Sequence, residues 1–198
     1  MTDLEAALRA LDSGRPVVMP TDTVYGLAAR PDRPSALTAI FDLKGRPANK
    51  PLPVLAATVD DLQGVVSPDG RARALAARFW PGPLTLVLPR AAGFRADLGG
   101  EGSTVAVRVP ACDIALRLLA AAGPLAVTSA NRSGGRPAVT ADEARRTFGS
   151  AVGAYLDAGR GGGRASTVVS LGTGPSADPE LLRDGPIEFA SVLDALRG

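Results

Sequence analysis

Histidine is absent from this chain, and cysteine occurs once, at Cys112. The first absence removes the commonest transition-metal ligand and the imidazole base of hydrolytic triads. The second excludes an intramolecular disulfide and, with the first, argues against a zinc site. Any chemistry must run on cations, hydroxyls and amides, with magnesium arriving on phosphates. Aromatics are scarce at 4%, with one Trp, two Tyr and five Phe, which is poor material for stacking single-stranded nucleic acid. No apolar run approaches the roughly 20 residues of a membrane span. The start, Met1-Thr2-Asp3-Leu4-Glu5, is acidic and amphipathic without a signal-peptide pattern, so a cytoplasmic protein is expected. Neither G-x-x-x-x-G-K-[ST] nor a strand followed by G-x-G-x-x-G occurs.

What is present is a 198-residue chain with 45% apolar residues, enough for a core and within the size of one domain, expected over 1–198. Its formal charge is only +2, so any basic patch is local. Twenty-three glycines and seventeen prolines fall between apolar runs rather than in a tract, the mark of a loop-rich folded chain.

Thr2 or Asp3 is placed to cap a helix through Leu4, Ala7, Leu8 and Leu11, closed by Ser13-Gly14. Val17-Val18-Met19 reads as a short buried strand delivering the chain into Pro20-Thr21-Asp22-Thr23-Val24-Tyr25-Gly26-Leu27. Strand-end loops of this kind hold ligand groups in α/β proteins, although Asp22 and the threonines also suit turns and caps. A helix is expected from a Ser35 cap through Leu43, and a strand over 52–57 with Pro53 at an edge or a start. Helical turns are expected over 62–66 and 72–79, then a strand over 84–89 after Trp80-Pro81-Gly82-Pro83. Residues 91–102 read as a mobile loop or lid. Strand 104–110 puts Thr104, Ala106 and Arg108 on one face, either toward a lined cavity or toward solvent. A helix over 114–122, strands at 125–127, 152–156 and 166–171, a helix starting at Thr140, a last strand with a turn over 181–187 and a helix over 191–196 complete the pattern. The run Asp157 to Arg164 suits a flexible hairpin loop and, by its glycines, the admission of a ligand.

Two loops carry most of the chemistry. Lys44-Gly45-Arg46-Pro47-Ala48-Asn49-Lys50-Pro51-Leu52-Pro53 concentrates three cations among three prolines that limit its freedom, which suits a polyanion clamp as well as a solvated basic loop. Thr128-Ser129-Ala130-Asn131-Arg132-Ser133-Gly134-Gly135 supplies hydroxyl, amide and backbone donors suited to phosphate oxygens.

Taken in order, Pro20 to Leu27, Lys44 to Pro53, Phe79 to Thr85, Val105 to Pro110, Thr128 to Gly134 and Ser166 to Val169 resemble the YrdC-like family along nearly the whole chain. The resemblance implies an α/β fold, with a twisted mixed sheet flanked by helices around a large concave basic cavity, in the family's short single-domain form. It implies a nucleotidyltransferase, an L-threonylcarbamoyladenylate synthase that converts L-threonine, bicarbonate and ATP to threonylcarbamoyl-AMP and pyrophosphate for tRNA modification. Downstream threonylcarbamoyl-transferase proteins would be its partners, with at most weak tRNA contact and no membrane.

Carried over by position, Lys44, Arg46, Ser129 and Asn131 are the implied catalytic residues. Those four with Lys50, Thr104 and Arg183 are implied to bind ATP, and Thr23, Tyr25, Arg108 and Ser166 to bind threonine. Longer relatives often carry a histidine where this chain has Leu55. Mg2+ is expected with ATP and no resident metal site, Asp22 and Asp157 being the nearest candidate carboxylates. The competing readings are an RNA-binding module with a basic concave surface and a relative acting on another carbamoyl adenylate.

Overall fold

The computed structural model describes residues 2–172 and 177–197. The chain alternates helices and strands in the order α1 (Asp3–Asp12), β1 (Val17–Met19), β2 (Gly26–Ala29), α2 (Pro34–Lys44), β3 (Val54–Leu55), α3 (Gly70–Phe79), β4 (Leu84–Pro89) and β5 (Thr104–Arg108). It continues with α4 (Asp113–Ala122), β6 (Leu125–Ser129), α5 (Ala141–Phe148), β7 (Ala154–Tyr155), β8 (Thr167–Ser170), β9 (Glu180–Arg183) and α6 (Phe189–Arg197). The strands form one sheet in the order β7-β1-β2-β6-β3-β5-β4-β8-β9. The pairs β7/β1, β3/β5 and β4/β8 are parallel and the others antiparallel. This is the mixed α/β architecture expected. No helix among the described residues is long and apolar enough to cross a membrane.

Local chemistry accounts for the element ends. Thr2 caps α1 reciprocally with Glu5, and Thr140 caps α5 through the Glu143 amide. Helix α2 starts one residue before the expected Ser35 cap, because Pro34 occupies the first turn with its φ already set and no amide to satisfy. It ends at Gly45, whose φ of 58° is the left-handed cap that glycine adopts freely.

The sheet's two faces are covered unequally. On one face, Leu27, Val54, Leu84, Leu86 and Val107 pack into a core that includes Leu37 and Ile40 of α2, Leu75 of α3, Ala144 of α5 and Val192 of α6. On the other, Val17, Met19, Ala28, Leu125 and Val127 pack against Leu11 of α1 and Leu118 and Leu119 of α4. Along β4, β5 and β8, the residues alternating with the buried set, Val87, Thr104, Ala106, Val168 and Ser170, stay half-buried.

Three expectations change. Gly26–Ala29 is a central strand, missed because Gly-Leu-Ala-Ala lacks strand-forming side chains. A Cβ at Gly26 would sit 2.5 Å from Val127 Cγ1, so close strand packing explains the residue there. Pro53 stands at a strand start, the second of its two expected places, and that strand is interior, between β6 and β5. Residues 62–66 are not a helix: a 3-10 turn over Asp60–Leu62 gives way to a bridge between Val66 and Arg90. Residues 157–164 are not a hairpin loop, since β7 and β8 lie far apart in the sheet and pair with β1 and β4. That segment is tied down instead, Gly161 donating to the Val139 carbonyl at 2.8 Å and Gly163 to that of Thr23 at 2.7 Å. The 91–102 segment is irregular as expected, but it clasps the basic loop through Leu52 N to Leu98 O and Gly100 N to Ala48 O, both 2.8 Å.

Candidate active site

A cavity of about 190 Å3 opens at the ends of β2, β5 and β6, before β8 and at the end of β9. Arg46, Arg108 and Arg183 line it together with Thr23, Tyr25, Ser129 and Ser166, and no carboxylate lines it among the described residues. The arginines feel one another. Burial, then the charge of Arg183, lowers the pKa of Arg46; burial lowers that of Arg108 against the opposing pull of Asp22, with a smaller push from Arg183; and burial lowers that of Arg183. All three guanidiniums remain charged under such shifts; Asp22 offsets the charge of Arg108, and no acidic partner offsets Arg46 or Arg183 among the described residues, which leaves the cavity attractive to an anion.

Each arginine is held by a different device. Arg46 folds back on its own loop, Nε donating to Lys50 O at 2.8 Å and Nη2 to Pro51 O at 3.0 Å. Arg108, at the end of β5 and 4% exposed, donates from Nε to Gly82 O at 2.8 Å, from Nη1 to Thr23 Oγ1 at 2.9 Å and from Nη2 to Asp22 Oδ1. Two of its five N–H donors remain. Arg183 lies flat on Ser166, Nε donating to the carbonyl and Nη2 to Oγ, both at 2.9 Å, while Nη1 makes no hydrogen bond among the described residues. Gly185 permits this approach, because a Cβ there would fall 2.2 Å from Thr167 N.

The hydroxyls have defined polarity on the Thr23 side. Thr21 Oγ1 donates to Val24 O at 2.6 Å, so in its 2.9 Å contact with Thr23 it accepts and Thr23 donates. Thr23 also accepts from Arg108, which leaves it one lone pair and no proton for a ligand. Tyr25 contributes its ring to the cavity wall. Its hydroxyl lies on the 157–159 segment, 2.9 Å from Asp157 Oδ1 and 2.7 Å from Gly159 O. Burial, with the Asp157 carboxylate, pushes that phenol up to about 12.

Lys44 departs from the expected exposed clamp. It is the last residue of α2 and 2% exposed, and its ammonium donates to the carbonyls of Ser129 and Asn131 at 2.5 and 2.6 Å. Burial and the neighbouring Arg46 charge lower its pKa to about 8. Asn131 is likewise turned inward, Nδ2 donating to Arg132 O and Gly135 O at 2.7 Å each while Oδ1 is buried without a partner. Lys44 and Asn131 therefore shape the loop that carries Ser129 from behind. Lys50 is exposed and does not line the cavity. Neither does Thr104, although it shares the open face of β5 with Arg108, about 13 Å along the strand.

One oxygen of each candidate carboxylate is already engaged. Asp22 Oδ1 is occupied by Arg108 and the Ala111 amide, and Asp157 Oδ1 by Tyr25 and the Gly159 amide. No group of three or more acidic or cysteine side chains that could hold an ion occurs among the described residues. Leu55 lines the cavity as an apolar wall. Three lining threonines were not singled out from the sequence, Thr21, Thr85 and Thr128. For Thr85 a signal existed, a hydroxyl inside the otherwise apolar Leu84-Thr85-Leu86-Val87-Leu88 run.

Known proteins share this arrangement of chain. The model of the family of Sua5, YciO and YrdC proteins, described as telomere recombination, matches residues 9–185. A Mycobacterium leprae protein is 43% identical over 196 residues, covering 98% of this chain and 87% of its own. The threonylcarbamoyl-AMP synthase of Thiobacillus denitrificans is 42% identical over 170 residues, covering 83% of this chain and 88% of its own. The crystal structure of Pyrococcus abyssi Sua5 complexed with L-threonine superposes with a TM-score of 0.91 at 36% identity, over 98% of this chain and 58% of that one. With a matching family model over most of its length, close relatives across it and the same fold, the chain belongs to the Sua5/YciO/YrdC family.

Proposed function

We propose that the chain is an L-threonylcarbamoyladenylate synthase, a nucleotidyltransferase that makes threonylcarbamoyl-AMP and pyrophosphate from L-threonine, bicarbonate and ATP for tRNA modification. The observation that carries the proposal is the convergence of Arg46, Arg108 and Arg183 on one cavity with hydroxyls between them and no lining carboxylate among the described residues. The names of the relatives agree with it.

In this reading, threonine adds to bicarbonate to give the N-carboxylate, with loss of water. A carbamate oxygen then attacks the α-phosphorus, the bond to the β-phosphate oxygen breaks, and pyrophosphate leaves. The protein's part is alignment and charge stabilisation. Well-aligned reactants alone are worth about 7–11 kcal/mol, and each preorganised donor about 3–4 more. Arg46 and Arg183 take phosphate oxygens and Ser129 donates to the α-phosphate. The two unused donors of Arg108 orient the threonine carboxylate, and Thr23, left only with an acceptor, takes an N–H or O–H of the amino acid beside Ser166. Lys44 and Asn131 hold the Ser129 loop. Lys50 and Thr104, outside the cavity lining, serve the projecting part of the nucleotide along the open face of β5. Tyr25 closes the wall. Magnesium carried by ATP would neutralise phosphate charge, with no carboxylate of the chain assigned to it.

Pyrophosphate release, with ATP, threonine and bicarbonate each omitted in turn and with and without tRNA at physiological salt, tests the reading. The expected result is release that needs all three substrates and no RNA. An absolute requirement for tRNA, or tight salt-resistant RNA binding without threonine-dependent release, would replace the enzyme with an RNA-binding module. Release with another acceptor in place of threonine would mark a relative specialised for a different carbamoyl adenylate.

A further inference from the structure

The two arginines flanking the cavity are built alike. Arg108 donates to a hydroxyl, Thr23, that is paired with a second hydroxyl, Thr21. Arg183 donates to a hydroxyl, Ser166, that is paired at 2.8 Å with a second hydroxyl, Thr85. Thr21 is also anchored to backbone at Val24. Thr85 is not: among the described residues its Oγ1 has Ser166 as its one hydrogen-bond partner.

Thr85 lines the cavity from β4, on the opposite face from its core-packed neighbours Leu84 and Leu86. It is 4% exposed and lies between the fully buried Leu84 and Leu86 of β4. A hydroxyl buried in such a strand costs stability unless it is paired, and here the pairing is spent on a residue of the cavity wall. Ser166 has three staggered χ1 positions available to it, and the contact with Thr85 selects the one that also meets Arg183 Nη2. The other anchor of Arg183, Nε to Ser166 O, fixes one corner of the guanidinium, and the Oγ contact fixes its rotation about that corner. Rotation decides where the unpartnered Nη1 points.

We propose that Thr85 is a positioning residue that fixes the Ser166 hydroxyl and, through it, the plane of Arg183 toward the ligand phosphates. The inference rests on the synthase reading. Thr85 lines the cavity, but its one hydrogen bond among the described residues is to Ser166, and its role is exerted through that contact. Its loss is therefore felt only while Ser166 has its hydroxyl.

The experiment is a double-mutant cycle on pyrophosphate release with ATP, threonine and bicarbonate, using Thr85→Val, Thr85→Ser, Ser166→Ala and Thr85→Val/Ser166→Ala. Thr85→Val is expected to lower kcat/KM about tenfold, the factor corresponding to one net hydrogen bond. Thr85→Ser, which restores the hydroxyl, is expected to recover most of that loss. The double variant is expected to be no slower than Ser166→Ala, because the two side chains act as one unit. If Thr85→Val does not fold, Thr85→Ala completes the same cycle. Wild-type rates in Thr85→Val, or losses that multiply in the double variant, would overturn the positioning role while leaving the synthase reading intact. A wild-type protein that releases no pyrophosphate with the three substrates would overturn both.

Discussion

The ammonium of Lys44 is bound by the carbonyl oxygens of Ser129 at 2.5 Å and Asn131 at 2.6 Å, so the cation ending α2 ties down the loop after β6. Lys44→Met keeps the stem and leaves both carbonyls without that donor. Hydrogen bonds from a charged group are worth about 1.5–3 kcal/mol each, so a stability loss of roughly 2–4 kcal/mol is expected together with lost activity. Arg46→Ala, whose contacts are to its own loop, is expected to melt within about 1 kcal/mol of wild type yet lose ATP binding. Thermal melts and ATP titrations of the two variants separate these outcomes.

Lys44 and Tyr25 set opposite slopes of stability in alkaline solution. The Lys44 pKa falls to about 8 on folding, so between there and about 10.4 the unfolded chain holds a proton that the folded one has released, and stability rises with pH. Tyr25 rises to about 12 on folding, so its contribution is complete below about pH 10 and is lost as pH climbs through 12. Denaturant melts from pH 7 to 11 are expected to show a gain above pH 8 that Lys44→Met abolishes. The decline above pH 10 is expected to persist in that variant and to weaken in Tyr25→Phe.

Asp22 neutralises Arg108 and is not assigned to a metal. Asp22→Asn leaves a buried guanidinium without its counter-charge, and removing one partner of such a pair costs about 3–5 kcal/mol. The threonine requirement is expected to rise while the magnesium dependence of pyrophosphate release stays as in wild type. A shifted magnesium optimum would make Asp22 a ligand after all. Arg108→Ala is expected to raise the threonine requirement more than the ATP requirement, as initial rates against each substrate would show.

Gly185 brings the chain beyond β9 against Ser166 and Thr167. Gly185→Ala would place a Cβ 2.5 Å from Ser166 C and 2.7 Å from Ala165 O, contacts with backbone that cannot move aside. Overpacking of this kind costs about 1–3 kcal/mol, and it displaces the seat of Arg183 as well. A lowered melting temperature with loss of pyrophosphate release is the expected outcome, checked by calorimetry and initial rates.

Much of the site was legible because each loop carries its own chemistry. Thr128 to Gly135 reads as a donor-rich loop before any folding, and the alternation of Thr104, Ala106 and Arg108 places them on one face by strand geometry alone. The prolines and charges around Lys44 suit a clamp or a solvated loop, and neither reading includes the burial of its ammonium. Sequence has no measure of two carbonyls, 85 and 87 residues away, that accept from its ammonium. The glycine run at 161–163 was misread as flexible for a similar reason. Its glycines serve close approach to Thr23 and Val139, and that need arises only once β7 and β8 join different parts of the sheet.

By itself the sequence determined the class of chemistry and the boundaries of most elements. Side-chain inventory limits what can donate, accept or ligate, while capping residues and apolar period act within a few neighbours. Only the tertiary structure decided which cations are available. Arg46, Arg108, Arg183 and Lys44 are equal positive charges in the sequence, yet three line a cavity and the fourth is consumed by backbone carbonyls. The reason is that a charge's role depends on burial and on partners across strands distant in the chain, such as Asp22 for Arg108 and Ser166 for Arg183, and those are set by sheet order.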